Sequence, residues 1–93
     1  MSAREINKVG VVGLGTMGAG IAQLCIQAGV PTVACENTPE LAERGRAGIQ
    51  KQLDKAVEKG KLSAEDRDAQ LALLEPASDV AALAGCDLVI EAI

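Results

Sequence analysis

The sequence contains no phenylalanine, tyrosine, tryptophan or histidine among its 93 residues. Without aromatic rings, Ala, Val, Leu and Ile must build the core, and these side chains bury less apolar area per residue. No aromatic side chain is present to stack on a bound base. Histidine is the most frequent general acid–base group and a common metal ligand, so we expect no imidazole-based catalysis and no zinc site of ordinary composition.

Paired cysteines and long apolar runs are also missing. Cys25, Cys35 and Cys86 lie in apolar segments without Cys-x-x-Cys spacing, which favours buried, reduced thiols in a cytosolic protein over a metal site. Residues 1–7 include no apolar core of a secretory signal, and no apolar run approaches the ~20 residues of a membrane span. We therefore expect a cytoplasmic protein with no metal and no membrane contact.

The charge pattern gives little sign of a nucleic-acid partner. Nine basic and thirteen acidic residues leave a net charge of −4, and the basic residues are interspersed with acids. One exception is a ridge formed by Lys51, Lys55 and Lys59, which recur every four residues. On the pattern alone this ridge is a solvated helix face.

The most specific pattern is an apolar run, residues 9–12, that ends in glycines spaced Gly-x-Gly-x-x-Gly. In a dinucleotide-binding turn, Gly13 permits the tight turn, Gly15 lets the backbone approach a diphosphate, and Gly18 lets the helix pack on the strand. The N–H groups of the first helical turn and the positive end of the helix dipole then face the anion.

The flanking segments agree with this interpretation. A helix is predicted after the turn, with one face traced by Met17, Ile21, Leu24 and Ala28, and it should end at Gly29 before Pro31. A second strand, residues 32–36, ends in Glu36, which is close to the ~20 positions after the glycines expected for the acid that binds the adenosine ribose. The alternative is that the glycines serve packing alone and that Glu36 is a solvated strand end.

The next segment predicts a long helix. Asn37, Thr38 and Pro39 provide a cap and a first-turn proline, and the helix should run to residue 59, where Gly60 stops it. Its inward stripe is expected to comprise Leu41, Gly45, Ile49, Leu53 and Val57. Gly45 and Gly48 inside this helix indicate either close approach of a neighbour or a weak point.

Shorter elements complete the chain. A capping box at residues 63–66 predicts a helix that reaches residue 69 or 71. Residues 73–75 predict a third strand closed by Pro76, residues 80–84 a short helix capped by Ser78 or Asp79, and residues 88–92 a fourth strand.

This order of elements predicts an α/β fold, a Rossmann-type parallel sheet with strands in the order 3-2-1-4. A dinucleotide should cross the carboxyl ends of the strands and contact residues 13–18, Glu36, Ala92 and Ile93. Hydride transfer also requires a nicotinamide pocket, an acid–base group and a substrate site. We expect residues 1–93 to be the front half of a cofactor-binding domain, with the catalytic remainder outside this chain.

The sequence resembles the N-terminal segment of the 3-hydroxyacyl-CoA dehydrogenase family, which includes 3-hydroxybutyryl-CoA dehydrogenases. The likeness rests on residues 11–23 (Val-Val-Gly-Leu-Gly-Thr-Met-Gly-Ala-Gly-Ile-Ala-Gln), Gly48-Ile49, Leu53, Lys59-Gly60-Lys61-Leu62 and residues 87–93 (Asp-Leu-Val-Ile-Glu-Ala-Ile). It implies reversible, NAD-dependent oxidation of a (3S)-3-hydroxyacyl-CoA to the 3-oxoacyl-CoA, as in fatty-acid or butanoate metabolism. It also implies that residues 1–93 are the N-terminal part of the NAD-binding domain, with the catalytic remainder and a C-terminal helical domain outside this chain, and that a homodimer forms through that helical domain.

The resemblance assigns no catalytic residue to this chain, because the family's catalytic groups lie downstream. It implies cofactor contacts at Gly13, Leu14, Gly15, Thr16, Met17, Gly18, Glu36, Ala92 and Ile93. It implies a contact with CoA at Lys59, whereas Gln52 stands where the family has a serine. Glu36 replaces the family's usual aspartate, and either acid should repel the extra phosphate of NADP.

Three alternatives remain at this point. A glutamate at the end of the second strand is also common where such a turn binds FAD, so a flavoprotein domain is the first. A β-hydroxyacid dehydrogenase, whose family shares Gly-Leu-Gly-x-Met-Gly, is the second. A non-catalytic dinucleotide-binding module is the third.

Overall fold

The computed structural model describes residues 6–93. The elements, in chain order, are β1 (Val9–Val12), α1 (Thr16–Gln27), β2 (Thr32–Cys35), α2 (Pro39–Glu58), α3 (Ala64–Leu71), β3 (Leu74–Ala77), a 3-10 helix (Val80–Leu83) and β4 (Leu88–Glu91). The expectation about a secretory signal concerns residues 1–7, of which residues 1–5 lie outside the described part.

The four strands form one parallel sheet in the order β3-β2-β1-β4, as predicted. Val9 of β1 pairs with Thr32 of β2 on one side and with Leu88 of β4 on the other. The crossovers from β1 to β2 and from β2 to β3 run in the same direction, so the right-handed rule places α1 and α2 on one face of the sheet, where they pack against each other. The α/β class and the strand order are thus confirmed.

The third strand extends further than predicted. We expected Pro76 to close it after residue 75, but β3 continues through Pro76 to Ala77, and Pro76 is registered against Ala34 of β2. Within the described sheet β3 is an edge strand. Proline, which has no N–H to donate, is tolerated on an edge strand at a position whose N–H would face away from the neighbouring strand.

The predicted starts of α2, α3 and the 3-10 helix are confirmed by their caps, whereas α2 and the 3-10 helix each end one residue earlier than predicted, at Glu58 and Leu83. The Thr38 hydroxyl accepts a hydrogen bond from the Leu41 N–H at 3.1 Å, and the Ser63 hydroxyl accepts one from the Asp66 N–H at 3.0 Å. Asp79, rather than Ser78, caps the 3-10 helix. The helices α1 and α2 end just before Gly29 and Gly60, which both have positive φ.

The predicted apolar face of α1 is wrong at Met17, Leu24 and Ala28, which are exposed, whereas Ile21 is half-buried and packs against the core. Met17 and Leu24 are 64% and 67% exposed, and the buried residues of this helix are Gly18, Ala22 and Ile26. Gly18 and Ala22 allow the helix to approach the sheet closely, and Ile26 on the same face is buried with them. Met17 and Leu24 remain exposed, although the hydrophobic pattern alone would place them in the interior as readily.

The stripe of α2 is confirmed at Ile49 and Leu53, which are fully buried, but Ala42 is buried where Leu41 was expected. Together with residues of α1 and the strands, the two confirmed residues form the core cluster, which comprises Val9, Val11, Leu14, Ala22, Ile26, Ala34, Ile49, Leu53 and Leu74. This core includes Leu14, which belongs to the turn between β1 and α1.

The two glycines inside α2 differ in their surroundings. A Cβ at Gly45 would lie 2.6 Å from Cδ1 and 2.8 Å from Cβ of Leu14, whereas a Cβ at Gly48 would meet no atom of the described residues within 4 Å. Gly45 is therefore a point of close approach between α2 and the β1–α1 turn. Gly48 has no such contact.

We expect the substitutions Gly45→Ala and Gly48→Ala to change stability in opposite directions. Gly48→Ala should raise the free energy of unfolding by up to about 1 kcal/mol, because alanine favours the helix. Gly45→Ala gains the same propensity but overpacks against the buried Leu14, at a cost of about 1–3 kcal/mol. Urea unfolding followed by far-UV circular dichroism measures both, and a Gly45→Ala variant as stable as Gly48→Ala would show that Leu14 yields without cost.

Candidate functional site

The turn between β1 and α1 requires glycine at two of the three glycine positions of the Gly-x-Gly-x-x-Gly pattern. The backbone conformation and the packing of the chain itself impose this requirement. Gly13 has a φ of 91°, a conformation that side chains disfavour. A Cβ at Gly18 would overlap the carbonyl oxygen of Gly13. These two glycines therefore allow α1 to begin immediately after β1 and to pack against it.

Gly15 has no comparable internal reason to be glycine. Its φ is −66°, which any residue can adopt, and a Cβ there would meet no atom of residues 6–93 within 4 Å. Gly15 instead lines two adjoining clefts at the mouth of the turn. The packing-only interpretation accounts for Gly13 and Gly18 but leaves Gly15 unexplained, whereas the close approach of a ligand explains it.

The N-terminus of α1 is suited to an anion. Within the described residues, no side chain caps this end, and the first turn carries no acidic residue. By contrast, α2, α3 and the 3-10 helix are each capped by a side chain. The N–H groups of the first turn of α1 have no partner within the helix, so they and the helix dipole can receive a phosphate.

Glu36 follows β2 and is held against the turn. Its Oε2 accepts a hydrogen bond from the Leu14 N–H at 2.7 Å, and its Oε1 accepts one from the Asn37 N–H at 3.3 Å. Glu36 is half-buried rather than a solvated strand end. A carboxylate fixed next to a phosphate-binding turn can accept hydrogen bonds from the hydroxyls of a ribose.

The carboxyl ends of the strands enclose a cleft of about 360 Å³, here called the first cleft, lined by Val12, Gly13, Gly15, Cys35, Glu36, Asn37, Ser78, Val80, Ala92 and Ile93. A second cleft of about 330 Å³ adjoins it, lined by Leu14, Gly15, Thr16, Ala19, Glu36, Leu41, Arg44, Gly45 and Gly48. Gly15 and Glu36 line both clefts. The structure therefore places a turn suited to an anion, a carboxylate able to accept hydrogen bonds from hydroxyls and an open cleft side by side, an arrangement that fits a dinucleotide.

The structure brings together most of the residues expected to contact the cofactor. Gly13, Gly15, Glu36, Ala92 and Ile93 line the first cleft, and Leu14 and Thr16 line the second. Gly18 is buried beneath the turn, and Met17 is largely exposed outside the lining of both clefts.

Sequence reasoning missed five lining residues of the first cleft: Val12, Cys35, Asn37, Ser78 and Val80. Ser78 and Val80 follow β3, and a third strand continued past Pro76 would have placed them at this edge of the sheet. Burial raises the pKa of the Cys35 thiol, and the nearby carboxylates of Asp79 and Glu36 raise it further. Cys35 therefore contributes a neutral thiol to the wall of the cleft.

The two residues expected to contact CoA lie away from the first cleft. Gln52 is exposed and lines a third cleft, of about 350 Å³, between α1 and α2. Lys59 is the C-cap of α2 and is exposed, as are Lys51 and Lys55. All three lysines of the ridge are therefore accessible to solvent.

Residues 6–93 contain neither a cluster of metal ligands nor a helix suited to span a membrane. No group of three or more histidine, cysteine, aspartate or glutamate side chains in this part of the chain is arranged to hold a metal ion. None of its helices combines the length and apolarity needed to cross a bilayer.

Comparison with known proteins gives relatives that match most of this chain. A 3-hydroxybutyryl-CoA dehydrogenase of Mycobacterium tuberculosis is 43% identical over 88 residues, which are 95% of this chain and 31% of that protein. A 3-hydroxyadipyl-CoA dehydrogenase of Escherichia coli is 41% identical over 95% of this chain and 18% of its own length. The chain thus spans about a third or less of the length of these relatives.

Solved structures agree with these matches. The crystal structure of FadB2 from M. tuberculosis superposes with a TM-score of 0.93 at 42% identity, covering 97% of this chain and 32% of that one. The crystal structure of (S)-3-hydroxybutyryl-CoA dehydrogenase PaaH1 from Ralstonia eutropha superposes with a TM-score of 0.91 at 36% identity, covering 95% and 31%. Residues 8–93 match the family model described as the NAD-binding domain of 3-hydroxyacyl-CoA dehydrogenase. With its glycine turn, its strand-end acid and this match over nearly its whole length, the chain belongs to the family of 3-hydroxyacyl-CoA dehydrogenase NAD-binding domains.

Proposed function

We propose that this chain is the NAD-binding portion of a (3S)-3-hydroxyacyl-CoA dehydrogenase, an enzyme that interconverts 3-hydroxyacyl-CoA and 3-oxoacyl-CoA in fatty-acid or butanoate metabolism. The observation that carries the proposal is the position of Glu36. Its carboxylate lies 2.7 Å from the Leu14 N–H, in the same cleft as Gly15 and Ile93. A diphosphate on the turn would place the adjoining adenosine ribose beside this acid.

The proposed cofactor contacts follow from this placement. The backbone N–H groups of the turn and of the first turn of α1 would bind the diphosphate, Glu36 would accept hydrogen bonds from the ribose, and the chain after β4 would flank the cofactor. These contacts involve Gly13, Leu14, Gly15, Thr16, Met17, Gly18, Glu36, Ala92 and Ile93.

NAD, when bound, accepts the hydride that leaves carbon 3 of the substrate. The residues of this chain bind and orient the cofactor. We propose that residues 1–93 form the N-terminal part of the domain, and that the group that takes the hydroxyl proton belongs to polypeptide beyond them. The match to about a third of the length of the relatives supports this division.

The remaining parts of the proposal concern the substrate, the oligomeric state and the cellular location. We propose that Lys59 contacts a phosphate of CoA, with Gln52 on the same helix nearer to α1, and that the complete protein is a homodimer. Relatives are named as dehydrogenases of CoA thioesters, which supports the substrate class. The three cysteines are free thiols, which supports a reducing, cytoplasmic location.

We expect Gly15→Ala to weaken NAD binding without loss of the fold. The added methyl group meets no atom of the described chain within 4 Å but stands where the diphosphate approaches, so hydrogen bonds to the backbone N–H groups should lengthen. Loss of one such charge-assisted bond lowers affinity by about 10-fold or more. Isothermal titration of the chain with NAD measures the change.

Gly20→Ala is the matched control for this experiment, because a Cβ at Gly20 also meets no atom of residues 6–93 within 4 Å but Gly20 lies one turn further along α1. It should bind NAD as the wild type does. Equal binding by the Gly15→Ala variant would contradict the proposed diphosphate site, and tighter binding of FAD than of NAD by the wild type would favour a flavoprotein instead.

We expect Lys59→Gln to weaken binding of acetoacetyl-CoA by about 3- to 10-fold at low salt, because one exposed ammonium–phosphate contact is lost. Lys61→Gln removes the same charge from an exposed position two residues away and should leave the affinity unchanged. Titration of both variants at low and high ionic strength separates a local contact from a general charge effect. If the two variants lose affinity equally, Lys59 is part of a solvated ridge and does not contact CoA.

A further inference from the structure

The second cleft holds a charged residue that the proposed function does not use. On one side it is lined by Glu36, Gly15 and Thr16, which belong to the cofactor site, and on the other by residues of α2 that include Arg44. Glu36 also lines the first cleft, so the place proposed for the dinucleotide adjoins a space on the α2 side.

The second cleft lies where a group attached to the 2′-oxygen of the ribose would have to fit. Glu36 would hold the hydroxyls of the adenosine ribose, so any group attached to the 2′-oxygen must fit beside the Glu36 carboxylate. The second cleft, at about 330 Å³, is an adjoining space of sufficient size for a phosphate. NAD carries a hydroxyl at this position and NADP carries a phosphate.

Arg44 is the cationic residue of this cleft, and it is not neutralised locally. The neighbouring Glu43 is bound to Arg46, whose Nε lies 2.9 and 3.0 Å from the two carboxylate oxygens. Among residues 6–93 no carboxylate forms an ion pair with Arg44, although Glu40 stands one turn before it on α2. An exposed guanidinium without a carboxylate partner is a ready bidentate contact for a phosphate.

Glu36 is the acid already expected to repel the 2′-phosphate of NADP, and we propose that Arg44 is a second determinant of this selectivity: it attracts the 2′-phosphate weakly while Glu36 is charged and more strongly once that charge is removed. This inference rests on the proposed cofactor site. Selectivity would then depend on a single charge, that of Glu36, because Arg44 already supplies a cation for the 2′-phosphate.

The test measures how the wild type, Glu36→Gln, Arg44→Gln and the double variant bind two probes that differ by one group. Adenosine 5′-phosphate and adenosine 2′,5′-bisphosphate share the base, the ribose and the 5′-phosphate. Glutamine keeps an oxygen that can accept from the Leu14 N–H, so the turn retains its contact. Isothermal titration gives the affinities, and far-UV circular dichroism confirms the fold.

We expect Glu36→Gln to bind the bisphosphate at least about 10-fold more tightly than the wild type does, since a repulsion is replaced by a charge-assisted contact. The double variant should lose this gain. Arg44→Gln alone should leave binding of the 5′-phosphate and of NAD within about twofold, and should weaken the residual binding of the bisphosphate by the wild type. This last measurement requires no change at Glu36, so it tests Arg44 even if the Glu36→Gln variant does not fold.

Glu58→Gln and Lys61→Gln serve as controls at exposed positions outside both clefts. Glu58→Gln changes the net charge as Glu36→Gln does, and Lys61→Gln changes it as Arg44→Gln does. A gain by Glu58→Gln equal to that of Glu36→Gln, or a gain that persists in the double variant, would overturn the inference and leave the NAD site standing. A wild type that binds neither NAD nor adenosine 5′-phosphate would instead refute the proposed function, and this inference with it.

Discussion

The structure depends on the contact between α1 and the end of β1. At this point the Gly18 backbone lies against the Gly13 carbonyl so closely that a side-chain carbon has no room. The contact fixes where α1 begins, and therefore where its unpaired N–H groups point. It also explains why Ala22 and Ile26, on the same face as Gly18, are fully buried whereas Met17 and Leu24 are not.

Leu14 extends this constraint to α2 and to the site. Its side chain is buried and packs where α2 has Gly45 in place of a larger residue, and its N–H donates to Glu36. One residue thus connects the packing of the second helix with the position of the acid proposed to bind ribose. A shift of α2 relative to the turn would move the Leu14 backbone and with it the donor that holds Glu36. The fold and the site are therefore stabilised by the same contacts.

Much of the fold could be predicted from the sequence, because its signals are local. Glycine spacing, the Thr38 and Ser63 caps and the apolar strands each depend on neighbours within a few residues, and the order of elements then leaves few topologies. The buried face of α1 could not be predicted in this way, because the choice between adjacent faces depends on how closely the helix approaches the sheet. The extension of β3 through Pro76 depends on the strand lying at an edge, which is a property of the whole sheet.

The same distinction applies to the site. The turn and Glu36 follow from spacing along the chain, whereas Ser78, Val80 and Arg44 reach the clefts through the register of β3 and the rotation of α2.

The lack of aromatic residues has a consequence for the site. Val80 and Ile93 are strongly exposed aliphatic side chains beside the first cleft, and in the proposed complex they are the apolar surfaces available to cover the adenine ring. Aliphatic contacts bury area without the geometric preference of stacked rings, so the orientation of the adenosine must come from Glu36 and the turn rather than from the base. In the proposed complex, recognition is therefore concentrated on the ribose and the diphosphate.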